Sequence, residues 1–180
     1  YQSGETITIG TNNTCIGSDT DVSSNNATNQ TAIGYQAICS SDNQVTLGNS
    51  SITALRCGET TIASVSDKRD KTNITDSIYG LNFINSIRPV KYTWDKRVLK
   101  EGDSESVLNG KTRVGFLAQE LQSAMPNNEN EILDLVYDVN PERLEAKYGN
   151  LIPILTKAIQ ELSSQNQALT ERINYLEKNI

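Results

Sequence analysis

Residues 151–180 read LIPILTKAIQELSSQNQALTERINYLEKNI and form the most regular stretch of the chain. Apolar side chains recur there at alternating intervals of three and four residues, which is the heptad spacing of a coiled coil. The d positions are Leu155, Leu162, Leu169 and Leu176, and the a positions are Ile159, Asn166, Ile173 and Ile180. Because such a seam needs partner helices to cover it, the pattern predicts a parallel coiled-coil helix over 151–180. Asn150 is its predicted N-cap, and Pro153 is tolerated because it falls in the first turn.

Residues 1–57 contain an imperfect repeat. Each copy places a large aliphatic residue directly before a glycine and a small or polar residue two positions before it. The copies are Thr6–Gly10, Asn13–Gly17, Gln30–Gly34 and Gln44–Gly48. This pattern predicts short β-strands followed by glycine turns. One aliphatic residue per rung cannot close a core within one chain, whereas three chains winding together could, so we expect a trimeric β-helical stalk over 1–66. The alternative is an ordinary loop region rich in Gly and Asn.

The middle of the chain, residues 67–150, is predicted to form a small α+β head. The expected elements are a helix over 81–87 that ends before Pro89, a strand over 90–94, a returning strand over 112–116 and a helix over 116–125. The loop from Asp95 to Lys111 is crowded with charge, so we expect it to project from the head. The predicted fold class is therefore α+β, with stalk, head and coiled-coil helix in that order.

Composition limits the classes of partner. Apolar residue types make up 36% of the 180 residues, which is thin for an independent globule and suggests burial against other copies of the chain. The net charge is −6 and no basic stripe is visible, which argues against nucleic acid and acidic membranes as partners. No apolar run approaches the roughly 20 residues of a membrane span. No signal peptide is visible, and because the chain opens at Tyr1 without a methionine, we expect it to be a fragment of a longer protein.

The cysteines argue against a metal site. They lie at positions 15, 39 and 57, with no Cys-x-x-Cys motif and no histidine anywhere in the chain. A zinc site is therefore not expected, and no cofactor is predicted. An odd number of well-spaced thiols indicates reduced cysteines and assembly in a reducing compartment, although a disulfide within the chain stays an alternative.

The charged stretch Ser66-Asp67-Lys68-Arg69-Asp70-Lys71 contains the strongest chemical signal. A serine hydroxyl is a poor nucleophile until a neighbouring base takes its proton. Because the chain has no histidine, the candidate bases are Lys, Asp and Glu, and a lysine can serve when its surroundings favour the neutral amine. Ser66 and Lys71 are thus a candidate dyad. The bland interpretation is a solvated turn, since charge runs usually lie on the surface.

The same stretch resembles the cleavage site of the self-releasing C-terminal chaperone domains of phage tailspikes and tail fibres. Endosialidase tailspikes carry such a domain, and the myelin regulatory factor carries a cellular relative. The family string Ser-Asp-x-Arg-x-Lys is filled by Ser66, Asp67, Arg69 and Lys71. Further resembling stretches are 81–85 (LNFIN), 88–92 (RPVKY), 115–120 (GFLAQE) and 148–153 (YGNLIP), so the resemblance covers about residues 64–180.

This resemblance implies a Ser/Lys dyad that cuts the chain at the Ser66–Asp67 bond. Asp67 would follow the cut, and Arg69 would hold the dyad loop or stabilise the oxyanion, with a structural role favoured. A serine that attacks its own carbonyl would close a strained four-membered ring. The alternatives are therefore attack on the Val65–Ser66 bond, attack on the Ser66–Asp67 bond of a neighbouring chain, or attack by water.

Asp67 and Asp70 lack further converging ligands, so we expect no metal there. Glu120 is expected to pack or to lie on a helix surface rather than to act in catalysis.

The number of chains follows from weighing two signals. Ile at a, Leu at d and the single Asn166 at a favour a dimer, whereas the repeats and the resemblance favour a trimer. We expect a homotrimer, because the stalk, head and helix must share one symmetry.

The predicted organisation is 1–66 stalk, 67–150 chaperone head and 151–180 coiled coil. The predicted function is an intramolecular chaperone that folds the upstream stalk of the same polypeptide and is then released. The stalk would belong to a virion fibre or spike, and the released part would stay in the host cytoplasm. A non-proteolytic trimeric fibre tip is the alternative. A membrane-tethered transcription factor fragment is disfavoured by the repeats and by the missing basic surface.

Overall fold

The computed structural model describes residues 2–59, 62–97, 106–125 and 129–179. It shows a chain of mixed α and β elements, which confirms the predicted α+β class. The chain divides into two compact units. The first comprises Tyr1–Thr61 with Tyr92–Arg113, and the second comprises Ile62–Lys91 with Val114–Ile180.

The first unit contains a parallel three-stranded sheet with the order β1-β2-β3. The strands are β1 (Thr14–Ile16), β2 (Thr31–Ile33) and β3 (Val45–Leu47). Three of the four predicted repeats therefore form strands. The remaining repeat, Thr6–Gly10, forms none. Successive segments of the one chain stack on each other as rungs, and the winding of three chains stays a prediction.

The rungs are closed by small side chains rather than by the aliphatic ones. Ala32, Ala37 and Cys39 are buried together, and Cys15 packs against them. The aliphatic residue before each glycine is exposed, as at Ile16 and Leu47. Because residues alternate in direction along a strand, an inward alanine two positions before the glycine sends the aliphatic neighbour outward.

An asparagine with left-handed backbone recurs once per rung. Asn12, Asn29 and Asn43 have φ values of 61°, 54° and 58°, and each lies two residues before the first residue of its strand. Asn29 Nδ2 donates to Asn43 Oδ1 at 2.9 Å. Asparagine adopts this conformation more readily than most residues because its short polar side chain bonds locally. These asparagines mark the rungs as clearly as the glycines do.

A two-stranded hairpin is formed by β4 (Val90–Thr93) and β5 (Thr112–Gly115). Both predicted strands are confirmed to within a residue at their ends, and β4 alternates half-buried and exposed side chains as predicted. Beyond the strands, Trp94 N donates to Lys111 O at 3.0 Å. The prediction that the intervening loop projects falls largely on residues 98–105, which lie outside the described residues.

The second unit forms the head around one apolar core. Its helices are α1 (Leu81–Ser86), α2 (Ala118–Ser123), α3 (Glu129–Leu133) and α4 (Leu151–Glu177), and β6 (Val136–Tyr137) pairs antiparallel with β7 (Glu145–Ala146). The predicted α1 and α2 are confirmed with slightly shorter bounds, while α3 and the β6–β7 pair were not predicted. The core residues are Phe83, Leu121, Met125, Leu133, Leu135, Val136, Leu151 and Ile154.

Helix α4 spans 27 residues and begins where predicted. Asn150 stands at the N-cap position but makes no capping bond with its side chain. Its Nδ2 instead donates to the carbonyl oxygen of Asp134 at 2.7 Å, so the predicted position is confirmed but the side chain does not cap the helix. Asn150 is itself in helical conformation, at the end of a 3-10 turn (Tyr148–Asn150), which turns its side chain away from the helix start.

Two stripes of side chains run along α4. Leu151, Ile154 and Ala158 are buried in the head. The predicted seam is a separate stripe, and its apolar members in the described chain are exposed: Leu155, Ile159, Leu162, Leu169, Ile173 and Leu176. The helix is therefore confirmed, while its partner helices stay a prediction.

Candidate functional site

The two residues of the predicted dyad flank a short 3-10 helix, Lys68–Asp70. Asp67 is its N-cap, with extended backbone (φ −66°, ψ 134°), and its Oδ1 accepts from Arg69 N at 2.8 Å. Lys71 ends the turn by donating its N–H to Lys68 O at 3.2 Å. Asp is among the preferred N-cap residues because its oxygen satisfies an otherwise free amide of the first turn. The tight turn brings the two ends of the stretch close together.

Ser66 and Lys71 meet across this turn. Lys71 Nζ donates to Ser66 Oγ at 2.6 Å. A separation of this size is within the hydrogen-bonding reach that a nucleophile and its base require. The structure thus brings together the two residues that the sequence analysis singled out, and their catalytic role stays a prediction.

Arg69 binds Asp67 rather than the dyad. Its Nε lies 3.1 Å from both carboxylate oxygens, and its Nη2 lies 2.6 Å from Oδ2. This guanidinium holds the pKa of the Asp67 carboxyl below its ordinary value, and the Arg69 backbone amide lowers it further. The same pair raises the pKa of Arg69. These contacts fit the favoured expectation for Arg69, which is to hold the loop.

The site lies in water in the single chain. Every residue from 62 to 78 is exposed except half-buried Asp67. Ile62 and Val65, just before the dyad, are 94% and 90% exposed. Apolar side chains of this size are seldom left so open in a finished assembly. One chain therefore places the Ser66 hydroxyl beside the Lys71 amine but leaves both residues exposed.

The other motif stretches meet in the head. Arg88 pairs with Glu120 through two hydrogen bonds, which raises the pKa of Arg88. Phe116 N donates to the hydroxyl of Tyr148 at 3.1 Å, and the two rings pack edge to face with centroids 5.8 Å apart. Glu120 is thus an ion-pair residue on the surface of α2, which agrees with the expectation that it lies on a helix surface. The sequence analysis did not predict that Arg88 and Tyr148 join the motif stretches within the head, although both residues lie in stretches that carry the resemblance.

Within the described part of the chain, no group of three or more His, Cys, Asp or Glu side chains could hold a metal ion. None of the described helices is long and apolar enough to cross a membrane.

These features define a small α+β head that opens with a serine and a lysine in contact, as expected of a peptidase-related autoprocessing domain. Residues 66–128 match the model of the family Peptidase_S74, described as chaperone of endosialidase. The resemblance drawn from the sequence is therefore confirmed for this segment, which is about a third of the chain. The matched segment begins at Ser66. Searches of curated proteins and of solved structures gave no significant match.

Proposed function

We propose that this chain trimerises through residues 67–180, folds the stalk that precedes them, and then releases the chaperone by cutting itself at Ser66–Asp67. The family match supports the chaperone role. The observation that carries the proteolytic part is the 2.6 Å contact between Lys71 Nζ and Ser66 Oγ at the first residue of the matched segment.

The proposed reaction is a single-turnover peptide hydrolysis. The neutral amine of Lys71 takes the hydroxyl proton of Ser66, and Oγ bonds to the carbonyl carbon of the scissile peptide. The resulting ammonium returns its proton to the leaving amine as the C–N bond breaks, and water then hydrolyses the ester. The four-membered ring that attack on the same chain would require favours the Ser66–Asp67 bond of a neighbouring chain. The Val65–Ser66 bond and direct attack by water are the alternatives.

Assembly would supply the burial that the dyad lacks in the single chain. In the structure Lys71 Nζ donates to Ser66 Oγ, and both residues are exposed. Burial favours the neutral form of an amine, because a charged group loses its solvation there. A neighbouring chain that covers the exposed stretch from Ile62 to Ile78 would therefore turn the lysine into a base. Cutting would then depend on trimerisation.

The exposed stripe of α4 supplies the driving force for association. Burying a Leu or Ile side chain contributes about 1.5–3 kcal/mol, and the stripe offers six such residues in the described helix. Three parallel helices would hold three heads in register and hence three sets of rungs. Such registration shortens the search for non-local strand pairing, which is otherwise slow and prone to aggregation.

Release would leave the stalk in a virion fibre or spike and the chaperone in the host cytoplasm. Once the chaperone has left, the stalk could not refold if it unfolded. It would persist because its unfolding is slow. The partners in this account are two further copies of the chain and the stalk of the same polypeptide.

A trimeric fibre tip without proteolysis is the second candidate. The open position of the dyad favours it, since exposed lysines and serines are common on surfaces. Denaturing electrophoresis separates the two functions. Self-cleavage gives fragments of 66 and 114 residues from the wild-type chain and a single intact band from Ser66→Ala. An assembled wild-type chain that stays intact would support the fibre tip instead.

A further inference from the structure

Residues 62–91 carry the dyad, and the first part of this segment does not pack against the head. Packing begins only towards its C-terminal end. From 62 to 78 its side chains are exposed, Asp67 being half-buried. Packing against the head starts at Tyr79, whose ring meets Phe83 edge to face at 6.4 Å, and at Gly80, which is buried. Residues 79–81 are therefore the anchor of this segment.

A carboxylate from α4 completes the anchor. Glu161 Oε2 accepts from Leu81 N at 2.8 Å, across 80 residues of sequence. A Cβ at Gly80 would lie only 2.5 Å from Oε2 and 2.8 Å from Oε1, so the glycine makes room for the carboxylate. The bond satisfies a free amide in the first turn of α1, where negative charge is favourable.

Glu161 lies on the head-facing stripe of α4 directly beside a residue of the exposed stripe. It continues the row of Leu151, Ile154 and Ala158, which faces the head, and it immediately precedes Leu162 of the seam. The same turn of α4 therefore binds the dyad segment through Glu161 and exposes the seam residue Leu162. A change in how α4 is held would be passed directly to the anchor.

We propose that Glu161 is a positioning residue for self-cleavage, an inference that rests on the proposed function. It touches neither Ser66 nor Lys71. The nine Cα–Cα steps from Lys71 to Gly80 span at most about 32 Å, so the anchor limits where the dyad can reach. Attack on a neighbouring chain depends on the effective concentration of Ser66 at that bond, which the length and origin of a tether determine. Glu161 fixes that origin relative to the assembled helices.

The test compares cleavage rates of pulse-labelled chains on denaturing electrophoresis. Glu161→Ala removes the carboxylate that accepts from Leu81 N and is expected to slow cutting about fivefold, the size of a lost helix cap. Glu161→Gln keeps an oxygen that can accept from Leu81 N and is expected to restore most of the rate. Glu171→Ala is the matched control. It removes a glutamate from the same helix whose oxygen accepts from Gln167, one turn away and outside the head.

Two further variants separate positioning from lost stability. Lys147→Ala breaks an ion pair with Asp134 elsewhere in the head, and it measures the effect of a weakened head alone. Gly80→Ala pushes the carboxylate aside and is expected to slow cutting, with no additional effect when combined with Glu161→Ala. This variant also carries the test if Glu161→Ala fails to assemble, as judged by light scattering.

The outcomes are distinct for the two proposals. An assembled wild-type chain that does not cut overturns the proposed function and this inference with it. If the wild type cuts and Glu161→Ala cuts equally fast, only the positioning role is overturned. The same holds if Lys147→Ala slows cutting as much as Glu161→Ala, or if Glu161→Gln gives no recovery.

Discussion

Asp67 and Arg69 hold each other directly after the bond that is proposed to break. The pair is open to water, so its value is geometric rather than energetic: it fixes the turn that brings Ser66 to Lys71. Alanine at position 69 removes the guanidinium but keeps the backbone amide that Asp67 also accepts from. The turn should therefore loosen without being lost.

The pKa of Asp67 provides a pH test of this pair. Because the folded pKa is depressed, the contribution of the pair is complete above the ordinary pKa of an aspartate. It is lost as the pH falls through the lower folded value, below about pH 4. We expect the NMR titration midpoint of the Asp67 carboxyl to rise in Arg69→Ala. An unchanged midpoint would show that Arg69 does not hold this carboxylate in solution.

Lys71 provides the sharpest substitution at the dyad. In Lys71→Arg the positive charge and much of the reach are kept, but a guanidinium does not give up its proton under ordinary conditions. Cleavage should therefore be abolished, while light scattering still reports the assembled chain. An arginine variant that cuts at the wild-type rate would contradict the lysine-base mechanism.

The rungs of the first unit depend on glycines that no other residue replaces easily. Gly17 has a φ of 134°, and a Cβ there would lie 2.7 Å from the carbonyl oxygen of Gly34 in the next rung. Gly58 has open space around its Cβ position and is the natural control. In an uncut Ser66→Ala background, Gly17→Ala should lower the urea midpoint of the first unit and Gly58→Ala should not. Equal midpoints for the two would remove the close approach as a cause.

Helix α4 is the element on which the proposed assembly depends most directly. Aspartates at the d positions 162 and 169 would place like charges in the seam, so Leu162→Asp with Leu169→Asp should dissociate the chains. Cutting should then fall to background on denaturing electrophoresis. Ser164→Asp with Gln167→Asp adds the same charges on the outer surface of the helix, and this control should cut normally. Normal cutting by a monomeric seam variant would place the whole site within one chain.

Periodic elements were predictable from sequence, and contact-dependent ones were not. The seam of α4 and the alternation of buried and exposed side chains in β4 could be predicted from the spacing of apolar residues. By contrast, β6 has two residues and α3 has five, too few for a period, and they are held by burial of Leu133, Leu135 and Val136. The inward-facing residues of the rungs were missed because they are small ones such as Ala32 and Ala37, which give no strong hydrophobic signal in the sequence.

The candidate site shows the same division. Spacing and the missing histidine were enough to single out Ser66 and Lys71. The cap made by Asp67 could have been predicted from the preference of aspartate for that position. The link between Gly80 and Glu161 could not, since it joins residues 81 positions apart in the sequence and depends on how α1 packs on α4.

In the molecule as a whole, three separate features are exposed in the single chain. The seam of α4, the aliphatic residues of the rungs and the open dyad segment are all uncovered in the single chain. Trimerisation would cover the three together, and cutting would follow only once they are covered. This coupling would prevent release of the chaperone before the stalk is in register.

Intact mass spectrometry of the assembled wild-type chain, beside Ser66→Ala, tests self-cleavage itself. We expect two wild-type masses, for residues 1–66 and 67–180, which together exceed the uncut chain by one water. Ser66→Ala should give one uncut mass. Fragments 1–65 and 66–180 would move the cut to the alternative bond. A single intact wild-type mass from a chain shown to be trimeric would contradict self-cleavage.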